Sequence, residues 1–123
     1  TILLIPALAL AFSSNTIEIE HIDTYSDQFI QSGAVLSVKD MVLDMVKDAG
    51  FDPEVAERVI MCESGWKTTA SHHNLNGTWD IGLWQINDIH GLPLETRQDP
   101  VKSTQFAIKL LNSNRSWNHW VCY

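Results

Sequence analysis

Apolar residues recur at helical spacing from position 38 onward, which predicts an amphipathic helix. The apolar positions that share one face of this helix are Val38, Met41, Val42, Met45 and Val46. The charged positions of the opposite face are Asp40, Asp44, Lys47 and Asp48. Gly50 follows, where a glycine commonly ends a helix. A methionine-rich stripe of this kind is typical of a helix that packs on a core.

A second helix is predicted to begin at Asp52 and Pro53, because aspartate caps helix N-termini and proline suits the first helical position. Gly65 is expected to end it. Glu63 therefore lies in the last turn, beside the negative end of the helix dipole. Because that end disfavours a negative charge, the position favours the neutral carboxylic acid that a general acid requires.

Residues 74–87 predict a β-hairpin with a two-residue turn at Asn76 and Gly77. Asp80 would project from its second strand, and Gly82 would allow close approach of backbone or ligand.

A third helix is predicted after Asp99 and Pro100, which repeat the cap-plus-proline signal. The polar residues 113–116 are expected to end this helix. The pattern as a whole indicates a mostly helical domain with one small β element.

The N-terminal region has a different composition. Eleven consecutive residues from Ile2 to Phe12 are apolar, which suits a signal-peptide core and is short for a bilayer span. Because the sequence starts at Thr1 without a basic stretch, we expect it to begin inside such a leader. A buried N-terminal helix or strand is the alternative.

Three segments are predicted on this basis: a signal-peptide remnant at 1–12, a spacer at 13–36 and a catalytic domain at 37–123. Such a protein would be exported to the periplasm, the cell envelope or the extracellular space. No stable membrane insertion is expected after removal of the leader, and we expect a monomer.

The net charge of −7 is unevenly distributed. Residues 16–57 contain ten acidic residues against two lysines, whereas residues 58–123 contain five acidic residues against six basic ones. Since no basic stripe is present, the sequence argues against nucleic acid as a partner.

Cys62 and Cys122 are the two cysteines of the chain. In an exported protein such a pair indicates a disulfide, which would contribute roughly 3–5 kcal/mol to stability for a loop of about 60 residues. Two free thiols, or a nucleophilic cysteine with a histidine partner, are the alternatives. The adjacent pair His72 and His73, expected in a loop, lacks the ligand spacing of a metal site, so no metal is predicted.

Two carboxylates separated by seventeen positions, Glu63 and Asp80, provide the pair that cleavage of a glycosidic bond uses. The spacing alone is weak evidence, but the intervening residues form a specific pattern. That pattern comprises Glu63-Ser64, Asn76-Gly77-Thr78, Asp80, Gly82 and Gln85-Ile86-Asn87, and it continues in Asp99-Pro100 and Trp117-x-x-Trp120.

In these motifs, over about residues 53–121, the sequence resembles the lysozyme superfamily, in particular animal-type lysozymes and bacterial lytic-transglycosylase-like domains. The resemblance implies an α+β, lysozyme-like fold, mostly helical with a small antiparallel β-hairpin beside the active-site cleft. It also implies cleavage of the β-1,4 bond between N-acetylmuramic acid and N-acetylglucosamine in peptidoglycan, without a cofactor. The alternatives are a lytic transglycosylase that leaves 1,6-anhydro ends and a non-catalytic cell-wall-binding module of the same fold.

By position, the resemblance makes Glu63 the acid/base and Asp80 the nucleophile or charge stabiliser, with carboxyl groups about 5–10 Å apart. The polar residues that would line the sugar subsites and hold the Asp-bearing strand are Asn74, Gln85 and Asn87. Trp117 resembles the tryptophan that packs on the catalytic glutamate. Three departures are visible: His90 and Gly91 replace a pair of subsite tryptophans, at most one of the usual four disulfides remains, and a longer β-domain after the hairpin is missing.

The remaining tryptophans are assigned by their surroundings in the sequence. Trp66, Trp84 and Trp120 are expected in the core. Trp79, which precedes Asp80, could equally well be core or stack on a sugar ring.

Overall fold

The computed structural model describes residues 36–123. The predicted signal-peptide remnant at 1–12 and the spacer up to residue 35 lie outside the described residues. The described part contains four α-helices: α1 (Val38–Asp48), α2 (Pro53–Ser64), α3 (Leu94–Gln98) and α4 (Pro100–Asn114). It also contains three short strands, β1 (Ser71–His73), β2 (Trp79–Ile81) and β3 (Ile86–Asn87), and a 3-10 helix at Asp88–His90. The predicted α+β, mostly helical class is confirmed.

The helix boundaries follow from the capping residues seen in the sequence. The Asp52 side chain accepts a hydrogen bond from the Glu54 backbone N–H at 2.9 Å, and Pro53 occupies the first turn of α2. Gly65 ends the helix with φ +59°, and its N–H donates to Met61 O at 3.0 Å. The predicted position of Glu63 in the last turn of α2 is therefore confirmed.

The core lies between α1, α2 and α4 and includes the turn between β2 and β3. Its fully buried apolar side chains are Val42, Val46, Ala56, Val59, Ile60, Leu83, Trp84, Ala107 and Leu111. The predicted core positions of Trp84 and Trp120 are confirmed, and Trp66 packs partly buried against the same cluster. Among residues 36–123, no helix has the length and apolar character needed to cross a membrane.

The three strands form an antiparallel sheet in the order β1-β2-β3. Residues 74–78 join β1 to β2, and the Asn74 N–H donates to Thr78 O at 2.8 Å across this loop. The prediction of a two-residue turn was wrong, because Asn74 and Thr78 close a longer loop around Gly77. His72 and His73 were also wrongly expected in a loop, since they form β1 opposite Asp80 and Trp79.

Gly82 allows a close backbone contact between the sheet and α3. Its φ is +83°, and a Cβ atom built there would lie 2.0 Å from the carbonyl oxygen of Arg97. The group that approaches Gly82 closely is therefore protein backbone, that of Arg97.

Arg97 lies almost fully buried behind the sheet and was not anticipated from the sequence. Its Nη1 donates to the carbonyl of Ile86 at 3.2 Å and to Asp88 Oδ1 at 2.8 Å. The other carboxylate oxygen of Asp88 accepts the Trp79 N–H at 2.7 Å. Arg97 and Asp88 therefore join β2, β3 and α3.

We predict that Gly82→Ala destabilises the protein by about 2–5 kcal/mol, because a positive φ and a steric overlap with the Arg97 carbonyl add up. Gly77→Ala is the matched control, since Gly77 has φ +86° but no neighbouring atom within 4 Å of the added Cβ. Gly77→Ala should lower the free energy of unfolding only by the cost of a side chain at positive φ, about 1–2 kcal/mol. Urea unfolding measures both. Equal losses for the two variants would contradict the close contact.

A pH dependence is predicted from Asp88. The hydrogen bond from the Trp79 N–H, together with Arg97, lowers the pKa of Asp88 below that of a free aspartate. Asp88 therefore contributes stability above about pH 4, and this contribution is lost as the pH falls through its pKa in the folded protein. In urea unfolding between pH 6 and pH 2, the advantage of the unmutated protein over Asp88→Asn should shrink with acidification. A difference in the free energy of unfolding that does not change with pH would contradict the lowered pKa of Asp88.

Candidate active site

Glu63 and Asp80 line the same cleft, as the sequence predicted. Glu63 enters it from the last turn of α2, and Asp80 from the middle of β2. The sheet side of the cleft also contains Gln85, Asn87 and His90. The C-terminal segment contributes His119 and Trp120. The cleft therefore lies where the end of α2, the sheet and the C-terminal segment meet.

Glu63 is half-buried, and its carboxyl group is held by the C-terminal segment. The backbone N–H of Cys122 donates to Glu63 Oε1 at 3.3 Å. Cys122 is bonded to Cys62, the residue before Glu63, with Cα atoms 5.9 Å apart. The predicted disulfide is thus confirmed, and one of its two cysteines supplies the N–H that contacts the carboxyl group of Glu63.

Asp80 is held by two asparagine side chains. Asn74 Nδ2 donates to Asp80 Oδ2 at 2.9 Å, and Asn87 Nδ2 donates to Asp80 Oδ1 at 2.6 Å. Both amides also donate to Thr78 Oγ1, at 3.2 and 2.9 Å respectively. Each carboxylate oxygen therefore has an amide donor, one from the loop between β1 and β2 and one from β3.

Gln85 lies in the turn between β2 and β3 and stabilises it through its side chain. Its φ is +47°, and its side-chain Nε2 donates to the carbonyls of Gly82 at 2.9 Å and Ala70 at 3.2 Å. Gln85 lines the cleft while its amide N–H groups bind the protein's own backbone. Its remaining amide oxygen is the atom with which it could meet a ligand.

Trp117, expected on the catalytic glutamate, lies in the core. Its ring packs near those of Phe51, Trp120 and Tyr123, with centroid distances of 6.3, 5.9 and 6.5 Å. Trp120 and Trp84 are the tryptophans that line the cleft with Glu63. The Trp-x-x-Trp spacing shows that a pair is present, but it does not show which ring reaches the cleft.

Trp79 is 43% exposed and stacks on His73, with ring centroids 4.4 Å apart. Because side chains alternate along a strand, Trp79 and Asp80 point to opposite faces of the sheet. Trp79 is therefore not a neighbour of the carboxylate across the cleft.

His90, which stands where the resemblance has a subsite tryptophan, lines the cleft, and so does His119, which was not assigned from the sequence. His90 packs edge-on against Phe106, at 5.0 Å between ring centroids. The two histidines approach from distant parts of the chain, so no spacing signal could have paired them. Among the described residues, no group of three or more potential ligands is placed to hold a metal ion.

The asparagine pair around Asp80 gives a prediction on stability. Asn74→Ala removes an amide donor from a carboxylate, which should cost about 1.5–3 kcal/mol in urea unfolding at pH 7. In a double-mutant cycle with Asp80→Ala, the two losses should be non-additive by at least about 0.5 kcal/mol. Asn112→Ala, on the exposed surface of α4, is the control and should show no coupling with Asp80→Ala. Additive losses of stability for Asn74→Ala and Asp80→Ala would contradict the hydrogen bond between these two side chains.

Comparison with known proteins agrees with this geometry. The model of a family described as "Lysozyme like domain" matches residues 43–122, which is more than half of the chain. No curated protein sequence gives a significant match. A lysozyme-like domain indicates peptidoglycan-related lytic activity of the glycosidase or lytic-transglycosylase type. This match, together with the small antiparallel sheet and the two carboxylates of the cleft, shows that the chain belongs to the lysozyme-like domain family.

Proposed function

We propose that this protein cleaves the β-1,4 bond between N-acetylmuramic acid and N-acetylglucosamine in peptidoglycan, as a lysozyme-like muramidase. The observation that carries the proposal is the shared cleft of Glu63 and Asp80, two carboxyl groups from separate elements that face the same space. Glycosidases flank the scissile bond with such a pair. The separation of about 5–10 Å between the carboxyl groups stays a prediction.

Glu63 is proposed as the general acid and base. In the first step its carboxyl proton passes to the glycosidic oxygen, so that the leaving sugar departs as an alcohol. The carboxylate that remains then takes a proton from the incoming nucleophile. Its half-buried position in the last turn of α2, in a cleft that Trp84 and Trp120 also line, supports this role because a general acid must lie within reach of the bound substrate.

Asp80 is proposed to face the positive charge that develops at C1 of the sugar. As an ionised group it can attack C1 or stabilise the charge through space. The two asparagine donors support this role, since they hold the carboxyl group of Asp80 in one orientation.

One observation also supports the transglycosylase alternative. Both oxygens of Asp80 already accept hydrogen bonds, which suits a fixed structural carboxylate as well as a nucleophile. In that case the sugar's own acetamido or 6-hydroxyl group would act at C1, and Glu63 would be the single catalytic carboxyl group.

The proposed site of action is outside the cytoplasm. Disulfides persist in oxidising compartments, and the Cys62–Cys122 bond lies beside the proposed acid. In the sequence, the apolar segment from Ile2 to Phe12 also supports export, because it resembles a signal-peptide core.

The proposal predicts that Glu63→Gln loses at least about 100-fold of the activity in a cell-wall turbidity assay, because glutamine cannot donate or accept the proton. Glu54→Gln is the matched control, since Glu54 lies exposed at the other end of the same helix and should retain activity.

Equal clearing by Glu63→Gln and the unmutated protein would contradict the catalytic assignment. If neither protein clears cell walls but both bind them, the non-catalytic binding module would replace the enzyme.

A further inference from the structure

The Cys62–Cys122 disulfide joins two sides of the proposed active site. Cys62 precedes Glu63 in α2, and Cys122 belongs to the segment that contributes His119 and Trp120 to the cleft. The Cys122 N–H is also the hydrogen-bond donor to Glu63 Oε1. A single covalent bond therefore controls where this donor sits relative to the proposed acid.

The part of the C-terminal segment before Cys122 has its own anchors. Trp117 and Trp120 are buried, and Trp120 Nε1 donates to the carbonyl of Trp84 at 2.9 Å. The residues on either side of Cys122 differ, since Val121 is 96% exposed and Tyr123 is 65% exposed. After Trp120, the chain is bonded covalently to α2 through the disulfide, and its other contacts among the described residues include the Cys122 N–H bond to Glu63 and the packing of Tyr123 near Trp117.

We propose that the disulfide positions Glu63 for proton transfer through the Cys122 N–H, and that its reduction lowers activity while the fold persists. This inference rests on the proposed function of Glu63. Without the bond, Cys122 is free to leave its place, and the Glu63 carboxyl group loses a fixed donor and gains rotational freedom. Cys122 is a positioning residue in this account, because it acts through Glu63.

The redox step is a thiol–disulfide exchange. A dithiol such as dithiothreitol attacks a sulfur of the bond, releases one cysteine thiolate and then closes to its own cyclic disulfide, which releases the other. Cys62 and Cys122 gain two electrons and two protons, and the dithiol loses them. Cys62 is exposed, so a reductant can reach the bond.

The biological consequence is a catalyst that is weak in a reducing compartment and active in an oxidising one. Glycan cleavage would then begin after the bond has formed outside the cytoplasm. The switch needs no other domain, because the exposed bond and the proposed acid are neighbours in the sequence.

The direct test is the amide resonance of Cys122 in a nitrogen–proton NMR spectrum. In the oxidised protein its proton shift should change when Glu63 is replaced in Glu63→Gln, because this N–H donates to that carboxyl group. After reduction with dithiothreitol, the resonance should no longer differ between Glu63→Gln and the unmutated protein. A difference that persists unaltered in the reduced proteins would overturn the inference.

Kinetics on purified peptidoglycan give the second measurement. Reduction should lower kcat at least about tenfold with a smaller effect on KM, while near- and far-ultraviolet circular dichroism stay native-like. The double variant Cys62→Ser/Cys122→Ser should show the same low kcat and no response to reductant. Tyr123→Ala, which keeps the bond, should retain both activity and sensitivity to reductant.

The outcomes separate this inference from the proposed function. If the oxidised protein does not cleave peptidoglycan, the proposed function fails, and the Cys122 resonance still tests the positioning contact. Equal kcat before and after reduction overturns the inference but leaves the function. Loss of the circular-dichroism signal on reduction also overturns it, since the bond would then support the whole fold.

Discussion

The cleft depends on how Trp84 is held between three parts of the chain. Its ring is fully buried, its Nε1 donates to Thr104 of α4 at 2.9 Å, and its carbonyl accepts the indole N–H of Trp120. These contacts fix the β2–β3 turn, α4 and the C-terminal segment relative to one another. Buried polar groups that are fully paired specify a single arrangement, and here that arrangement brings the β2–β3 turn and the C-terminal segment together at the cleft that Glu63 and Asp80 line.

The two carboxyl groups reach this cleft in different environments. Glu63 stands at the carbonyl end of α2, lines the cleft together with Trp84 and Trp120, and accepts one long hydrogen bond from the Cys122 backbone. Asp80 stands in a hairpin where two asparagine amides satisfy its oxygens. Different surroundings for two like groups are what acid/base chemistry requires, because one must hold a proton while the other stays charged.

Local signals in the sequence were sufficient for much of the fold. The cap-plus-proline pairs Asp52-Pro53 and Asp99-Pro100 set the starts of α2 and α4, and Gly65 set the end of α2. Glu63, Asp80, Gln85 and Asn87 were identified through the resemblance to lysozymes, and all four line the cleft. Asn74, identified in the same way, is not among the lining residues but donates a hydrogen bond to Asp80.

Features that depend on distant contacts were missed. The burial of Arg97 behind the sheet and the positions of Trp120 and His119 at the cleft follow from packing between elements far apart in the chain.

The central claim is cleavage at C1 of N-acetylmuramic acid. It is tested most directly by mass spectrometry of peptidoglycan digested in water labelled with oxygen-18. The account predicts new reducing ends that carry one labelled oxygen; unlabelled 1,6-anhydro ends would establish the transglycosylase, and glycan strands without new ends would contradict the account.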